Sequence, residues 1–466
     1  MNTSKHISSK LINLFTLAKQ FWRKNHYLLI PLCIYLVISS LYQAYFLQHN
    51  LVNIISGDLT GWLEFGKIIH LTGVGENIWW PPLYGFYLSL YYHLGNFLPY
   101  ILRGQQILFV SLLVLFYSFF GKSTNKSVVM RWMLLLILIP LHIICASVPV
   151  SETFFLLLLM IHIFFFLKFF AKQKMIDFFY SLLFLTLATF SKPVSLYFNL
   201  IGLPIMLLLL LVKNYINKRH ILILLLLSLA IPQLFYSLWS QRNFRKTGIN
   251  TFANVQNYNL LAHNYYHIHN YVEMLKKGEL QISNIGTELL EDKGERLRRY
   301  LKGDFLDQYI IEKGVDPNEI SDARRYVYAG ELGKTLIFKN ILLYSVMHII
   351  KSIALFFPNL WEPTKLLVLG NFKYVLFGIS FAIGAFVLFY FTRSLMFFIV
   401  SFRNSKIGYN SIVSLTFLTH ALYIFLAVGP TAFDDGGRYG FIVYFFLIGF
   451  IISVNTTHKH LKWLKR

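Results

Sequence analysis

The chain has 466 residues, of which 56% are hydrophobic, 18% aromatic and only 14% charged. A soluble globule carries about 25% charged residues, so the composition excludes a water-soluble fold and describes a polytopic membrane protein. The net charge of +22 does not describe a nucleic-acid partner, because Lys and Arg fall in short clusters between apolar runs, as the positive-inside rule dictates.

Residues 1–26 carry Lys5, Lys10, Lys19, Arg23 and Lys24 and form a basic, cytoplasmic N-terminus. The apolar run Tyr27 to Phe46 exceeds a signal-peptide core of about 7–15 residues, so it reads as a retained first span over about 27–48. Cys33 and Cys145 both lie in apolar runs, which leaves neither a disulfide framework nor a Cys-based metal site.

The span delivers the chain to a first external loop, 49–100. There ISGDLTGWLEFGKIIHLTGVGENIWWPPLY, from Ile55 to Tyr84, sets Asp58, Glu64 and Glu76 against a single Lys67. The pattern Leu59, Trp62, Leu63, Phe65, Ile68 and Ile69 predicts an amphipathic helix lying on the membrane, with Asp58 at headgroup level. The run LYGFYLSLYYHLG is short and rich in Tyr, so it is expected to sit at the interface.

Further spans are expected over about 101–120, 132–149, 151–170, 176–191, 194–212 and 221–240. The clusters Lys122–Lys126–Arg131, Lys168–Lys172–Lys174 and Lys213–Lys218–Arg219 all become cytoplasmic if residues 82–97 do not cross. Residues 241–371 then form an external loop, with an amphipathic helix over about 321–357 that Ser321 and Asp322 cap. Its part Ile341 to Phe357, ending at Pro358, is expected to lie along the surface. Spans over about 372–392, 409–429 and 439–455 and a basic tail complete residues 372–466, with Arg393, Arg403 and Lys406 inside. The expected fold class is an all-α polytopic membrane protein of about ten spans.

Asp58 is placed to take a proton from an acceptor hydroxyl or amine; it equally suits an N-cap for the helix beginning near Leu59. Glu152 opens a span, where the helix dipole alone favours a carboxylate. Lys192 in SKP, Arg242 in SQRNFRKTG and Arg438 after Asp434-Asp435-Gly436-Gly437 are cations on the face opposite the cationic loops. Each reads as an interfacial anchor or as a phosphate ligand. Asp434 and Asp435 could meet a divalent cation but lack a third ligand at a defined spacing. His263 and His267 have the spacing of a zinc half-site without an acidic partner. The chain contains no P-loop, GxGxxG or GxSxG.

Taken in order, GDLTGWLEFGKIIHLTG, WWPPLYGFYLSLYYHLG, VSETFFLLLL, SKPVSLYFNLIG, WSQRNFRKTGINTFANVQNYNLLAHN, GKTLIFKNILLYSVMHIIKSIALFFPNLW and GGRYGFIVYFF resemble the GT-C membrane glycosyltransferases. The likeness is to the protein O-mannosyltransferase and aminoarabinose-transferase-like branch, of the family 39 type, and it spans nearly the whole chain. It implies a GT-C fold: a transmembrane module (27–240) with a catalytic first loop, the external loop 241–371 with amphipathic helices, and C-terminal spans. It also implies transfer of a hexose or pentose from a polyprenyl-phosphate donor to a lipid, glycan or protein acceptor on the outer face.

By that resemblance Asp58 matches the first-loop catalytic acid and Glu152 the acid after the third span. Lys192, Arg242 and Arg438 match basic positions near the donor phosphate. Trp62, Trp79, Trp80 and Tyr84 are expected to stack on sugar or acceptor. Leu59 follows Asp58 where many relatives carry an Asp-Glu pair. The family includes metal-dependent and metal-independent members, so a divalent cation stays open as a cofactor. A bacterial inner membrane, with the site facing the periplasm, is the expected location. The rival reading is a lipid or glycan transporter or flippase without transferase chemistry, which predicts inverted repeats and charges at mid-membrane.

Overall fold

A computed structural model describes residues 2–48, 57–74, 77–95, 97–121, 125–213, 218–257, 259–261, 304–353, 355, 372–404, 409–428 and 432–455. Among them there is no strand. The helices in chain order are α1 (Asn2–Gln48), α2 (Gly57–Thr72), α3 (Pro82–Ser89), α4 (Phe97–Phe120), α5 (Lys126–Leu138), α6 (Pro140–Ser147), α7 (Ser151–Lys172) and α8 (Met175–Ser191). Then come a 3-10 turn (Pro193–Ser195), α9 (Gly202–Val212), α10 (Lys218–Thr247), α11 (Asp304–Glu312), α12 (Asp322–Lys339), α13 (Ile341–Ile353), α14 (Phe372–Asn404), α15 (Tyr409–Val428) and α16 (Ala432–Asn455).

Among the described residues, six stretches are long and apolar enough to cross a bilayer: Asn25–Gln48, Phe97–Phe120, Ser151–Lys172, His220–Thr247, Gly378–Arg403 and Tyr409–Val428. The chain is thus an all-α membrane protein. Shorter apolar helices (Met175–Ser191, Gly202–Val212 and Tyr439–Asn455) pack among them.

Several expected boundaries move, each for a physical reason. The expected span over 132–149 is two helices, because Pro140 has no N–H to return to Leu136. The orphaned Leu136 carbonyl accepts instead from Nδ1 of buried His142 at 2.9 Å, as a dry interior requires. Pro232 inside α10 leaves the Ser228 carbonyl open in the same way, and buried Asn199 donates to it at 3.4 Å. In place of 194–212, only Gly202–Val212 is α-helical. The amphipathic helix expected over 321–357 starts where its cap predicts, with Ser321 Oγ accepting from Arg324 N, but breaks at Asn340 into α12 and α13. The apolar sequence SLMFFIVSF carries α14 on to Asn404, so Arg393 and Arg403 lie within a helix rather than in a loop.

The bundle has two chemically different ends. At one, Gln43 Nε2 of α1 donates to the carbonyls of Leu102 (2.8 Å) and Ser147 (2.9 Å). There α7 begins, and Tyr423 of α15 donates to the Val194 carbonyl at 2.8 Å. At the other end α7 turns into α8 past the Lys168–Asp177 ion pair (2.7 Å). Lys213 donates there to the Phe402 and Arg403 carbonyls, and Tyr409 donates to the Leu167 carbonyl at 3.1 Å.

Above the first end lies a small helical hairpin. Helices α2 and α3 cross so closely that a Cβ on Gly66 would stand 2.8 Å from Leu88 Cβ, and one on Gly85 would stand 2.7 Å from Ile69 Cδ1. Tyr92 closes the hairpin by donating to the Leu63 carbonyl at 2.5 Å. Residues 82–95 form this short helix and a turn, in keeping with a segment that does not cross.

Candidate active site

Two proline-directed breaks create the centre of the site. Pro193 disfavours a helical residue before it, so α8 stops at Ser191 and Lys192 is extended (φ −152°, ψ 124°). Its side chain therefore leaves the helix surface and enters the bundle. Opposite it, Val150 is an extended N-cap after Pro149, and α7 opens with Ser151 and Glu152. Thr153 Oγ1 donates to the Cys145 carbonyl at 3.1 Å, fixing this first turn against α6.

The two charges meet: Lys192 Nζ donates to Glu152 Oε1 at 2.7 Å, with Glu152 only 1% and Lys192 9% exposed. Lys192 Nζ also sits 4.6 Å from the ring centroid of Tyr439 in α16, a cation–π contact. An ion pair this deep is held because each charge compensates the desolvation of the other.

An aromatic shelf lies near the pair. Tyr84 is fully buried, accepts from Gln105 Nε2 at 2.6 Å, and packs against Phe154 at 5.8 Å between centroids. Burial drives the Tyr84 hydroxyl well above the usual tyrosine range, and Tyr87 and the Glu152 carboxylate push it the same way. Trp62 stacks on Trp80 (4.5 Å, 28°) and meets Tyr84 edge-on (5.0 Å). Trp62 and Tyr84 are buried in this packing, whereas Trp79 and Trp80 are half-buried. Trp79 turns away from the shelf, at 84° to Trp80, and packs on Tyr326 of α12 at 4.6 Å.

A second aromatic cluster adjoins the shelf. Tyr236 of α10 donates to Thr189 Oγ1 (2.8 Å), which in turn lies 2.8 Å from Ser195 Oγ. Tyr236 thereby spans the turn that carries Lys192. Trp239 Nε1 donates to the Phe252 carbonyl (3.1 Å), and the loop carrying Phe252 is stitched to the first loop by Asn254 N to Ile78 O (2.8 Å) and Val255 N to Trp79 O (3.2 Å). Arg242 lies over Trp239 at 4.9 Å and donates to Asn243 Oδ1 at 2.8 Å. Beside this cluster opens a cavity of about 550 Å³ between α10 and residues 196–200. Gln233, Ser237, Ser240 and Gln241 line it from one face of α10, facing Leu196 and Leu200.

The structure therefore joins Glu152 and Lys192 directly and brings Tyr84 close enough to feel the Glu152 carboxylate. Trp62 and Trp80 form the shelf, while Trp79 and Arg242 belong to the adjoining cluster. Asp58 is the second of the residues described in α2. Its side chain, like those of Asp434, Asp435 and Arg438, lies outside the described residues, as does Glu76. Arg438 directly precedes Tyr439 in α16. His263, His267 and His269 also lie outside. Among the described residues no group of three His, Cys, Asp or Glu side chains is placed to hold a metal ion. Sequence reasoning missed Tyr439, Gln105 and Tyr236, since a single aromatic or amide carries no signal in a chain with 45 Phe and 29 Tyr. Comparison with protein-family models, curated proteins and solved structures returns no match to this chain.

Proposed function

We propose that the chain is an integral membrane glycosyltransferase of GT-C type that moves a sugar from a polyprenyl-phosphate donor to an acceptor at the Glu152 end of the bundle. The observation that carries this reading is the buried Glu152–Lys192 pair near an aromatic shelf, with a cavity of mixed polar and apolar lining opening beside the adjoining Tyr236–Phe252 cluster. Polar side chains of α10 suit a hydroxyl-rich headgroup, and the leucines opposite suit the start of a prenyl chain. In this reading the three shorter apolar helices and the Pro140-broken pair complete the expected set of about ten crossings. The end rich in Lys and Arg faces the cytoplasm, and the site faces the periplasm of a bacterial inner membrane.

The chemistry is a single displacement. The acceptor oxygen or nitrogen forms a bond to the anomeric carbon while Asp58 takes its proton, and the bond from that carbon to the phosphate oxygen breaks. The polyprenyl phosphate leaves with the electron pair. Lys192, Arg242 and Arg438 stabilise the charge that develops on it. Glu152 acts by fixing the Lys192 ammonium in one place.

The test is mass spectrometry of envelope lipids, polysaccharides and glycoproteins from wild-type, deletion and Asp58→Asn strains at matched membrane abundance. Loss of one and the same sugar from both mutants is the expected result. A glycan lost in the deletion but kept by Asp58→Asn would overturn the assignment and favour a transporter.

A further inference from the structure

At the opposite end of the bundle, away from the Glu152 site, a cavity of about 340 Å³ opens between α14, α15 and α16. Its polar lining comes from Arg393, Ser401, Asn410, Ser411, Ser414 and Asn455. We propose that this cavity binds the phosphate headgroup of an anionic glycerophospholipid, with Arg393 as the phosphate ligand.

Four observations support this occupant. Arg393 is exposed within a membrane-spanning helix and, among the described residues, makes no ion pair or hydrogen bond. A cation placed at that depth without a protein partner is a functional candidate. Secondly, among the described residues Arg393 is the only charged one that lines the cavity. A zwitterionic lipid would leave its amine without a counter-charge, whereas a net anion fits. Thirdly, α15 has 20 residues, about 30 Å at 1.5 Å per residue, which matches the hydrocarbon thickness. Its first turns, with Asn410, Ser411 and Ser414, therefore stand at headgroup level.

The fourth observation separates a lipid from a free anion. Phe389 and Phe386 precede Arg393 by four and seven positions and so share its face of α14, running toward the bilayer centre. They are 63% and 45% exposed, an apolar track for an acyl chain whose head is held at Arg393. The rim is built rather than accidental: Ser453 Oγ donates to Ser414 Oγ and Asn455 Nδ2 to Ser394 Oγ, both at 2.9 Å. These bonds tie α16 to α15 and α14 around the opening. The remaining hydroxyls and amides suit the polyol of a phosphatidylglycerol headgroup.

The experiment uses the full chain in phosphatidylcholine nanodiscs with graded phosphatidylglycerol, counting retained lipids by native mass spectrometry and following the melting temperature. Wild type is expected to retain phosphatidylglycerol about tenfold more tightly than Arg393→Gln, the loss typical of one charge-assisted contact. Arg393→Lys is expected to restore part of the difference, and Lys246→Gln, at the other end of the bundle, to behave as wild type. Ser411→Asp places a carboxylate in the cavity and is expected to lose retention even if Arg393→Gln folds poorly. Equal phosphatidylglycerol retention by wild type, Arg393→Gln and Ser411→Asp would overturn the proposal. So would equal protection by phosphatidylcholine alone or by inorganic phosphate, the latter marking a free-anion site.

Discussion

Glu152 and Lys192 lie 40 residues apart and were each legible in the sequence only as an interfacial charge. Position along the chain cannot say that the two meet, because only the crossing of α7 and α8 brings their ends together. Once paired and buried, either charge alone is costly. Lys192→Met or Glu152→Gln is expected to destabilise the protein by about 3–5 kcal/mol, the cost of an uncompensated buried charge. The double variant, with both charges gone, is expected to recover most of it, and a double-mutant cycle on thermal unfolding in detergent measures the difference. Equal losses that simply add would show that the pair is not coupled.

Tyr92 offers a second test at this scale. Burial pushes its hydroxyl up to about 12, above the ordinary value near 10. Its contribution is therefore intact below pH 10 and fades as pH rises toward 12, because the unfolded chain loses the proton first. The α2–α3 hairpin should loosen in that window. Ultraviolet difference titration of Tyr92→Phe should show one late-titrating tyrosine fewer than wild type.

At the scale of elements, proline placement and polar side chains act together. Pro140, Pro193 and Pro232 each interrupt a helix or its hydrogen bonding; only the break at Pro193 was expected, while Pro140 and Pro232 fell within expected single spans. Which partner repairs each break was not legible. His142 and Asn199 look like stray polar residues in apolar runs until the open carbonyls of Leu136 and Ser228 are seen beside them. The docking of α12 is similarly tertiary. A Cβ on Gly333 would stand 2.7 Å from the backbone carbon and oxygen of Leu260, atoms that cannot swing aside. Gly333→Ala is therefore expected to cost about 1–3 kcal/mol, as overpacking does, and to free α12 from the loop that holds Trp79. Limited proteolysis should then cut near α12 faster than in wild type, while cleavage elsewhere stays unchanged.

For the whole molecule, the distribution of cations orients the bundle. Lys168, Lys172, Lys174, Lys213 and Arg403 gather at one end, and the Glu152–Lys192 pair, balanced in charge, lies at the other. If the positive-inside rule governs this chain, Gln173→Cys should react with a membrane-impermeant maleimide only after permeabilisation. Asn250→Cys should react in intact cells. The reverse pattern would place the proposed site on the cytoplasmic side and remove the basis for a periplasmic transferase.

The sequence by itself determined the class of fold, because a bilayer forces every apolar run of sufficient length into a helix whatever its neighbours are. It also determined the break at Pro193 and the cap at Ser321, which act through the residues next to them. Composition and charge spacing were enough for that. Only the tertiary structure decided which ends meet. The pairing of Glu152 with Lys192, the stacking of Trp62 on Trp80 rather than Trp79, and the cavity around Arg393 all depend on helix crossings. Those crossings are chosen by side-chain packing between segments far apart in the chain, and no local pattern encodes such distances.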